Sequence, residues 1–342
     1  MKVLSFIIPC YNSEKYLDKV MDSLLVPGMM DRLDIIIVND GSSDGTEATA
    51  EAYCARYPDT VRLITQENKG HGGALNTGCA AAVGKYMKVI DADDWIETQN
   101  LPEFIRQLEQ CDSDVVLTHH YTRNITTGEV KKWMSYPPEF GRAYSLEEIM
   151  TQRENFDRSL TFHGITYRTD FYREEGILLS EHVFYEDHEY ATFPCCHAKS
   201  VTPLDLFIYD YRIGDVQQSV SDENQLKRLG HTEAVLKRMM TEFAALPQEA
   251  GCREFVCMKI KVLLLSYIAT VMLVEPDRKA GRRRGDAMME RVRQEIPRVC
   301  ELSQKQYRVF RLMNRLHVSK ETWERILNSG IYRRLRGNHD FG

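Results

Sequence analysis

The feature that most narrows the choice of fold is the way the first 117 residues alternate short β-branched runs with stretches of helical periodicity. Such alternation builds βα units on a mostly parallel sheet, because one parallel strand reaches the next only through a crossover, usually a helix. The expected strands are Val3 to Ile8, Asp34 to Val38, Val61 to Thr65, Tyr86 to Ile90 and Asp114 to Leu117. Between the first two, Leu17, Val20, Met21 and Leu24 recur at helical spacing, with Asn12 or Ser13 placed to cap that helix and Pro27-Gly28 to end it. The Ala- and Gly-rich stretch Gly72 to Gly84 reads as a helix packed close against the sheet. The expected fold class is α/β, with the element order of a nucleotide-binding domain.

After this half the pattern changes. Thr118 to Trp133 reads as a hairpin around Gly128, and the mixed segment that follows holds Ile165-Thr166-Tyr167 and Leu206-Phe207-Ile208-Tyr209 as strands. From about residue 222 the chain reads helical, with Met288, Met289, Val292, Ile296 and Val299 on one amphipathic face. The expected organisation is a domain over 1–221, divided into halves 1–117 and 118–221, followed by a helical region over 222–342.

Composition closes off several classes of function. With 44 Lys and Arg against 50 Asp and Glu, the net charge is −6, so the chain lacks the basic footprint of a nucleic-acid binder. Its nine cysteines include no CxxC pair, which disfavours a disulfide framework or a zinc knuckle. The N-terminus runs straight into a strand pattern without a cleavage site, and a cytoplasmic location is expected. The longest apolar stretch, Val262 to Val274, falls short of the roughly 20 residues of a membrane span and reads as a buried core helix.

In open α/β sheets ligands bind beyond the carboxyl ends of the strands. Here those ends are Pro9-Cys10-Tyr11-Asn12, Asn39-Asp40-Gly41-Ser42-Ser43-Asp44-Gly45-Thr46 and Asp91-Ala92-Asp93-Asp94-Trp95. If the chain is extended there, Asp91 and Asp93 point the same way and can share a hard cation such as Mg²⁺ or Mn²⁺, which completes its shell with substrate phosphates. The bland alternative is a turn that caps a helix. Ser43 or Asp44 is placed to cap the next helix, whereas Asp40 at a strand's end is placed for a sugar hydroxyl or a base edge. Asn68-Lys69-Gly70-His71-Gly72-Gly73 suits a phosphate-facing loop, with Lys69 as its cation and His71 as a surface residue. Neither GxGxxG nor GxxxxGK[ST] occurs.

Together Phe6 to Asn12, Ile37 to Thr46, Asn68 to Gly78 and Asp91 to Asp94, in this order and spacing, closely resemble the inverting family 2 glycosyltransferases with the GT-A fold. The likeness is strong over residues 1 to about 97 and looser to about 221. The resemblance implies that Pro9, Tyr11 and Asp40 surround the nucleotide base, that Asp91 lies near the ribose, and that Asp93 of the Asp-x-Asp holds Mn²⁺ or Mg²⁺ on the diphosphate. It further implies that 118–221 is the acceptor-side half. There Glu186-Asp187 resembles the acidic pair facing the acceptor, and Tyr209-Asp210-Tyr211-Arg212 with Gln218-Ser219 resembles a loop covering the donor. Many relatives have Asp at Asn39 and Arg at Leu75; without that arginine, Lys69 or Arg212 is the candidate cation for the diphosphate.

The reading that follows is inverting transfer of a sugar from a nucleotide-sugar, a UDP-sugar first, to a hydroxyl of a glycan or glycolipid in cell-surface polysaccharide synthesis. Asp187 is the expected base: it cannot come from the metal motif, and Phe184, Tyr185 and Tyr190 partly desolvate this segment. A helix N-terminus at Glu186, Asp187 and Glu189 is the competing account, compatible with the first. Rival functions are a nucleotidyltransferase, which wants a Gly-rich basic signature after the first strand, and a non-catalytic nucleotide-sugar-binding protein. Arg278, Lys279, Arg282, Arg283 and Arg284 read as a solvated loop between helices; the alternative is peripheral contact with anionic lipid at the inner face of the membrane.

Overall fold

The computed structural model describes residues 2–215, 222–248 and 250–328. They fall into two compact units, one ending at Asp215 and the other comprising the described residues from Asp222 onward.

The first unit holds a nine-stranded sheet. Its strands are β1 (Leu4–Cys10), β2 (Leu33–Asp40), β3 (Val61–Gln66), β4 (Tyr86–Val89), β5 (Trp95–Ile96), β6 (Val115–Asn124), β7 (Val130–Trp133), β8 (Ile165–Arg168) and β9 (Val201–Ile213). The order is β3-β2-β1-β4-β8-β6-β9-β5, with β7 paired to β6. β3, β2, β1 and β4 are all parallel, as the βα alternation requires; β8 enters antiparallel on both sides, and the sheet is mixed from there on. The register runs from Leu4↔Leu33 to Cys10↔Asn39 and brings Asp40 opposite Gln66. Parallel strands end together, so the polar strand ends share one edge of the sheet.

Helices α1 (Glu14–Leu24), α2 (Thr46–Arg56), α3 (Gly70–Ala81) and α4 (Leu101–Gln110) follow the early strands. β1 is buried along its whole length, as expected of a strand covered on both faces. Phe6, Ile8, Ile35 and Ile37 join Leu17, Val20, Met21 and Leu24 of α1 and Phe104, Ile105 and Leu108 of α4 in one core. The expected close packing of α3 holds: a Cβ on Gly78 would lie 2.3 Å from Ile7 Cγ2.

Two strands are longer than their sequence patterns. β6 runs ten residues and turns at Gly128 (φ 73°) into the expected hairpin with β7. β9 runs thirteen residues, so Tyr209 to Arg212 are strand rather than covering loop: they pair with β6 on one side, and Tyr209 and Asp210 pair with β5 on the other. Gln218 and Ser219 lie outside the described residues.

The second unit is helical, as expected. Its apolar helix is longer than the 13-residue stretch suggested: Arg253–Ala269 continues through a π-turn to Val274, giving 22 residues, long and apolar enough by length and composition to cross a membrane. Phe255, Val256, Ile260, Leu263, Leu264 and Ile268 are nevertheless buried, which is how a core helix behaves. The expected face from Met288 to Val299 is split between two helices, Arg278–Glu295 and Pro297–Arg315, because proline at the start of the second ends the first. The basic cluster is the N-terminal part of a helix rather than a loop. Asp277 caps that helix, accepting from the Lys279 and Ala280 amides. Arg278 donates to Met272 O, Arg282 to Asn314 Oδ1 and Arg284 to Glu275 Oε2.

Candidate active site

The loops after β1 and β2 are stitched together. The Asn12 amide donates to Ser42 Oγ (3.0 Å), and Asn12 Oδ1 accepts from the Ser43 amide (2.8 Å). The Ser13 amide donates to Thr46 Oγ1 (2.8 Å), and Asp44 accepts from the amides of Glu14 and Thr46. Asn39 Oδ1 accepts from the Ser42 amide, so the residue that departs from the family pattern holds this turn. Asn12 sits at φ 51°, a left-handed conformation that asparagine tolerates better than most residues. Tyr11 follows Pro9 and Cys10 out of the sheet and is 57% exposed.

Asp40 is buried at the end of β2, and one of its oxygens is fully used. Oδ1 accepts from Gln66 Nε2 (2.7 Å) and the Lys69 amide (2.8 Å), while Asn68 Nδ2 binds its carbonyl. No described residue donates to Oδ2. Lys69 therefore meets Asp40 through its backbone. Lys69 also lines a shallow groove with Ile64, Asn76, Thr77 and Glu181. The glycines around it serve close packing: a Cβ on Gly70 would lie 2.9 Å from the His182 amide nitrogen, and one on Gly72 would lie 2.2 Å from Ser180 O. Leu75 is buried, and Asn76 exchanges hydrogen bonds with the Leu179 backbone.

The Asp91–Asp94 segment is not extended. The Asp94 amide donates to Asp91 O (3.0 Å), closing a turn, and the expected sharing of one direction by Asp91 and Asp93 is corrected accordingly. Asp91 Oδ1 meets His71 Nε2 at 2.9 Å, and Asp93 Oδ2 meets Arg212 Nη1 at 3.2 Å. Asp94 is buried, accepting from Tyr209 Oη (2.6 Å) and the Arg212 amide (2.7 Å). Burial, with the negative charges of Asp91 and Asp93, holds its carboxyl well above the ordinary range. Tyr209 Oη also accepts from the Asp91 amide (3.1 Å), so β9 fastens the turn. Arg212 Nη2 reaches Asp215 Oδ2 (3.0 Å), and its guanidinium lies 4.9 Å from the Tyr16 ring.

From the second half, Glu186 and Asp187 open a one-turn helix, Asp187–Tyr190, with Glu186 as its cap residue, so the helix-terminus reading holds. Tyr185, just before the pair, sits at φ 75°, a strained conformation costing about 1–3 kcal/mol for a bulky residue. Glu186 is buried and bonded through Oε1 to His71 Nδ1; Asp187 is half-buried. Glu189 is buried and takes the Ser180 amide and hydroxyl. Tyr211 stacks on His163 with ring centroids 4.2 Å apart. Burial raises the Tyr211 phenol, and Asp94, Asp91, Asp187 and Asp93 raise it further, which puts all four carboxylates within electrostatic range of one side chain.

The structure thus gathers Asp91, Asp93, Glu186, Asp187, Tyr211 and Arg212 around one strand edge. Four further residues organise it: His71, read from sequence as a surface residue, bridges two carboxylates; Asp94 and Tyr209, read as part of the acidic motif and of a covering loop, fasten the turn; and His163, which sequence reasoning did not name, stacks on Tyr211. His71 carried a partial signal, since it lies in the first turn of the helix after β3, beyond the carboxyl end of a parallel strand where ligand sites collect.

Among the described residues no group of three His, Cys, Asp or Glu side chains is arranged to hold a metal ion. Asp93 nonetheless offers hard carboxylate oxygen, its side chain 30% exposed, which fits a divalent cation that takes one or two carboxylates and fills its shell with phosphate.

The sequence profile described as glycosyl transferase family 2 matches residues 5–174. The uncharacterized glycosyltransferase EpsJ of Bacillus subtilis is 26% identical over 71% of this chain and 68% of its own length. Among solved structures, S. aureus TarS 1-349 in complex with UDP-GlcNAc is similar at 20% identity and TM-score 0.58, covering 93% of each chain. The Pyrobaculum calidifontis mannosyltransferase PcManGT, in complex with GDP-Man and Mn²⁺, is similar at 16% identity and TM-score 0.53, covering 91% of this chain and 84% of its own. At these identities the two structures speak for the fold. The profile match, with the glycosyltransferases among its relatives, identifies residues 5–174 of this chain as a glycosyl transferase family 2 domain.

Proposed function

We propose that the chain transfers a sugar from a UDP-sugar, with inversion, to a hydroxyl of a glycan or lipid-linked glycan acceptor in polysaccharide synthesis. The observation that carries this reading is the meeting of two sets of carboxylates at one sheet edge: Asp40, Asp91 and Asp93 from the nucleotide half, Glu186 and Asp187 from the other. TarS was solved with UDP-GlcNAc, which supports UDP as the nucleotide.

In this reading Pro9, Tyr11 and Asp40 hold the base, with Asp40 Oδ2 as the acceptor for an N–H of the base. Asp91 accepts from a ribose hydroxyl. Asp93 would hold Mn²⁺ or Mg²⁺, which when bound supplies Lewis-acid stabilisation of the leaving diphosphate. Arg212, beside Asp93, neutralises the same phosphates, with Lys69 the second candidate, and Tyr211 flanks the donor. Asp187 takes the acceptor's hydroxyl proton as the new C–O bond forms and the sugar–phosphate bond breaks, so the proton ends on Asp187 and the electron pair on UDP. Glu186 belongs to the acceptor side beside it.

The division at about residue 221 and a cytoplasmic location belong to the same proposal. So does contact with anionic lipid through the exposed members of the basic cluster, Lys279, Arg283 and Arg284; co-sedimentation with anionic liposomes at low salt tests that part.

The test of the activity is incubation with individual UDP-sugars, Mn²⁺ and glycan acceptors. Acceptor-dependent UDP release is the expected result, and no release with any donor would remove the reading.

A further inference from the structure

His71 is the only titratable side chain in the first turn of α3, and both of its ring nitrogens face carboxylates. Nε2 lies 2.9 Å from Asp91 Oδ1, and Nδ1 makes a short hydrogen bond to Glu186 Oε1. The imidazole also lies 6.0 Å from the Phe162 ring. It therefore spans residues 20 positions and 115 positions away, one from each half of the unit.

The approach is built into the backbone. A Cβ on Gly72 would stand 3.0 Å from Glu186 Cγ as well as 2.2 Å from Ser180 O, so the glycine lets Glu186 close on the first turn of α3. Carboxylates only accept hydrogen bonds, and a neutral imidazole has one N–H. Two such contacts need one proton more than a neutral histidine and two ionised acids hold between them. Burial opposes a charge on His71, but Asp91 and Glu186 outweigh it and keep the imidazole's pKa well above its ordinary value.

We infer that His71 is a positioning residue that fastens Glu186 to Asp91, and so fixes the carboxylate of the next residue, Asp187, relative to the nucleotide end of the site. The inference rests on the proposed roles of Asp91 and Asp187. It alters the role of Glu186: the carboxylate is occupied by His71, and its function is to hold the helix start in place rather than to contact the acceptor.

The test compares wild type, His71→Ala, Glu186→Ala, Glu186→Gln and the double variant H71A/E186A in steady-state transfer. His71→Ala and Glu186→Ala should each lower kcat by about ten- to a hundredfold, the scale of a misplaced catalytic group, with little change in KM for the UDP-sugar. The double variant should be no worse than the poorer single variant, because the two residues act as one unit. Glu186→Gln should recover most of the kcat that Glu186→Ala loses, since its amide can donate to a neutral His71 that still donates to Asp91. Multiplying losses in the double variant would overturn the inference. So would a Glu186→Gln defect as deep as that of Glu186→Ala, or a His71→Ala defect confined to KM. If wild type turns over no donor, the proposed activity fails separately; the bridge is then read from thermal unfolding of the same variants, where additive midpoint shifts for His71→Ala and Glu186→Ala overturn it and a smaller combined shift supports it.

Discussion

Tyr209 donates its phenol hydrogen to Asp94 Oδ2 at 2.6 Å, and its phenol oxygen accepts the Asp91 amide at 3.1 Å. One hydroxyl on β9 thus closes the Asp91–Asp94 turn from outside, and the carboxylates proposed for the donor take their positions from a residue more than a hundred positions downstream. Tyr209→Phe keeps the ring and removes both bonds. Because Asp94 is buried, the expected loss is about 1–3 kcal/mol of unfolding free energy in urea, with weaker UDP binding. Unchanged stability would show that the turn holds without it.

Asp93→Ala should abolish Mn²⁺-dependent UDP binding while leaving thermal stability nearly unchanged, since the Asp93 side chain is part-exposed at 30%. A chelator should reproduce the effect on wild type. UDP binding of equal strength in excess EDTA would disprove the metal assignment.

Asp187→Asn preserves size and removes the proposed base. Transfer should fall by at least about 10²-fold, with UDP-sugar binding retained. Near-normal transfer by Asp187→Asn would mean that Asp187 is not the base.

Lys88 is fully buried, donating to His163 O (2.7 Å) and Ile165 O (3.1 Å), and burial pushes its ammonium down to about 7. The unfolded chain titrates this group near pH 10.4. Between the two values the unfolded state binds more protons, so stability rises with pH: the penalty is full below pH 7 and gone above the unfolded value. Urea unfolding at pH 7 and pH 9 should show wild type gaining on Lys88→Met by on the order of 1 kcal/mol per pH unit. A parallel pH dependence in the two proteins would contradict this.

Gly281 packs the helix Arg278–Glu295 onto the π-turn: a Cβ there would lie 2.0 Å from Val271 O, a backbone atom that cannot move aside cheaply. Gly281→Ala should lower the thermal midpoint, the steric cost of about 1–3 kcal/mol exceeding the gain in helix propensity of about 1 kcal/mol. Gly230, with nothing within 4 Å of its would-be Cβ, is the control, and Gly230→Ala should be neutral or stabilising.

The sequence by itself determined the parallel half of the sheet, because local periodicity and β-branched runs set β1 to β4, and parallel strands that end together necessarily collect Pro9, Asp40 and Asp91 at one edge. It also determined the helical character of the second unit and the helix start at Glu186-Asp187. What it could not determine were facts of long-range pairing. Tyr209 to Arg212 belong to a thirteen-residue strand because β5 and β6 supply hydrogen bonds from distant sequence, and no local pattern carries that information. The turn at Asp91–Asp94 separates two carboxylates that an extended chain would have aligned, sending one to His71 and the other to Arg212. His71 is the plainest case: its chemistry depends on Glu186, 115 residues away, and only the tertiary fold brings the two together, because a contact between distant residues is fixed by packing and topology rather than by the propensities of either one.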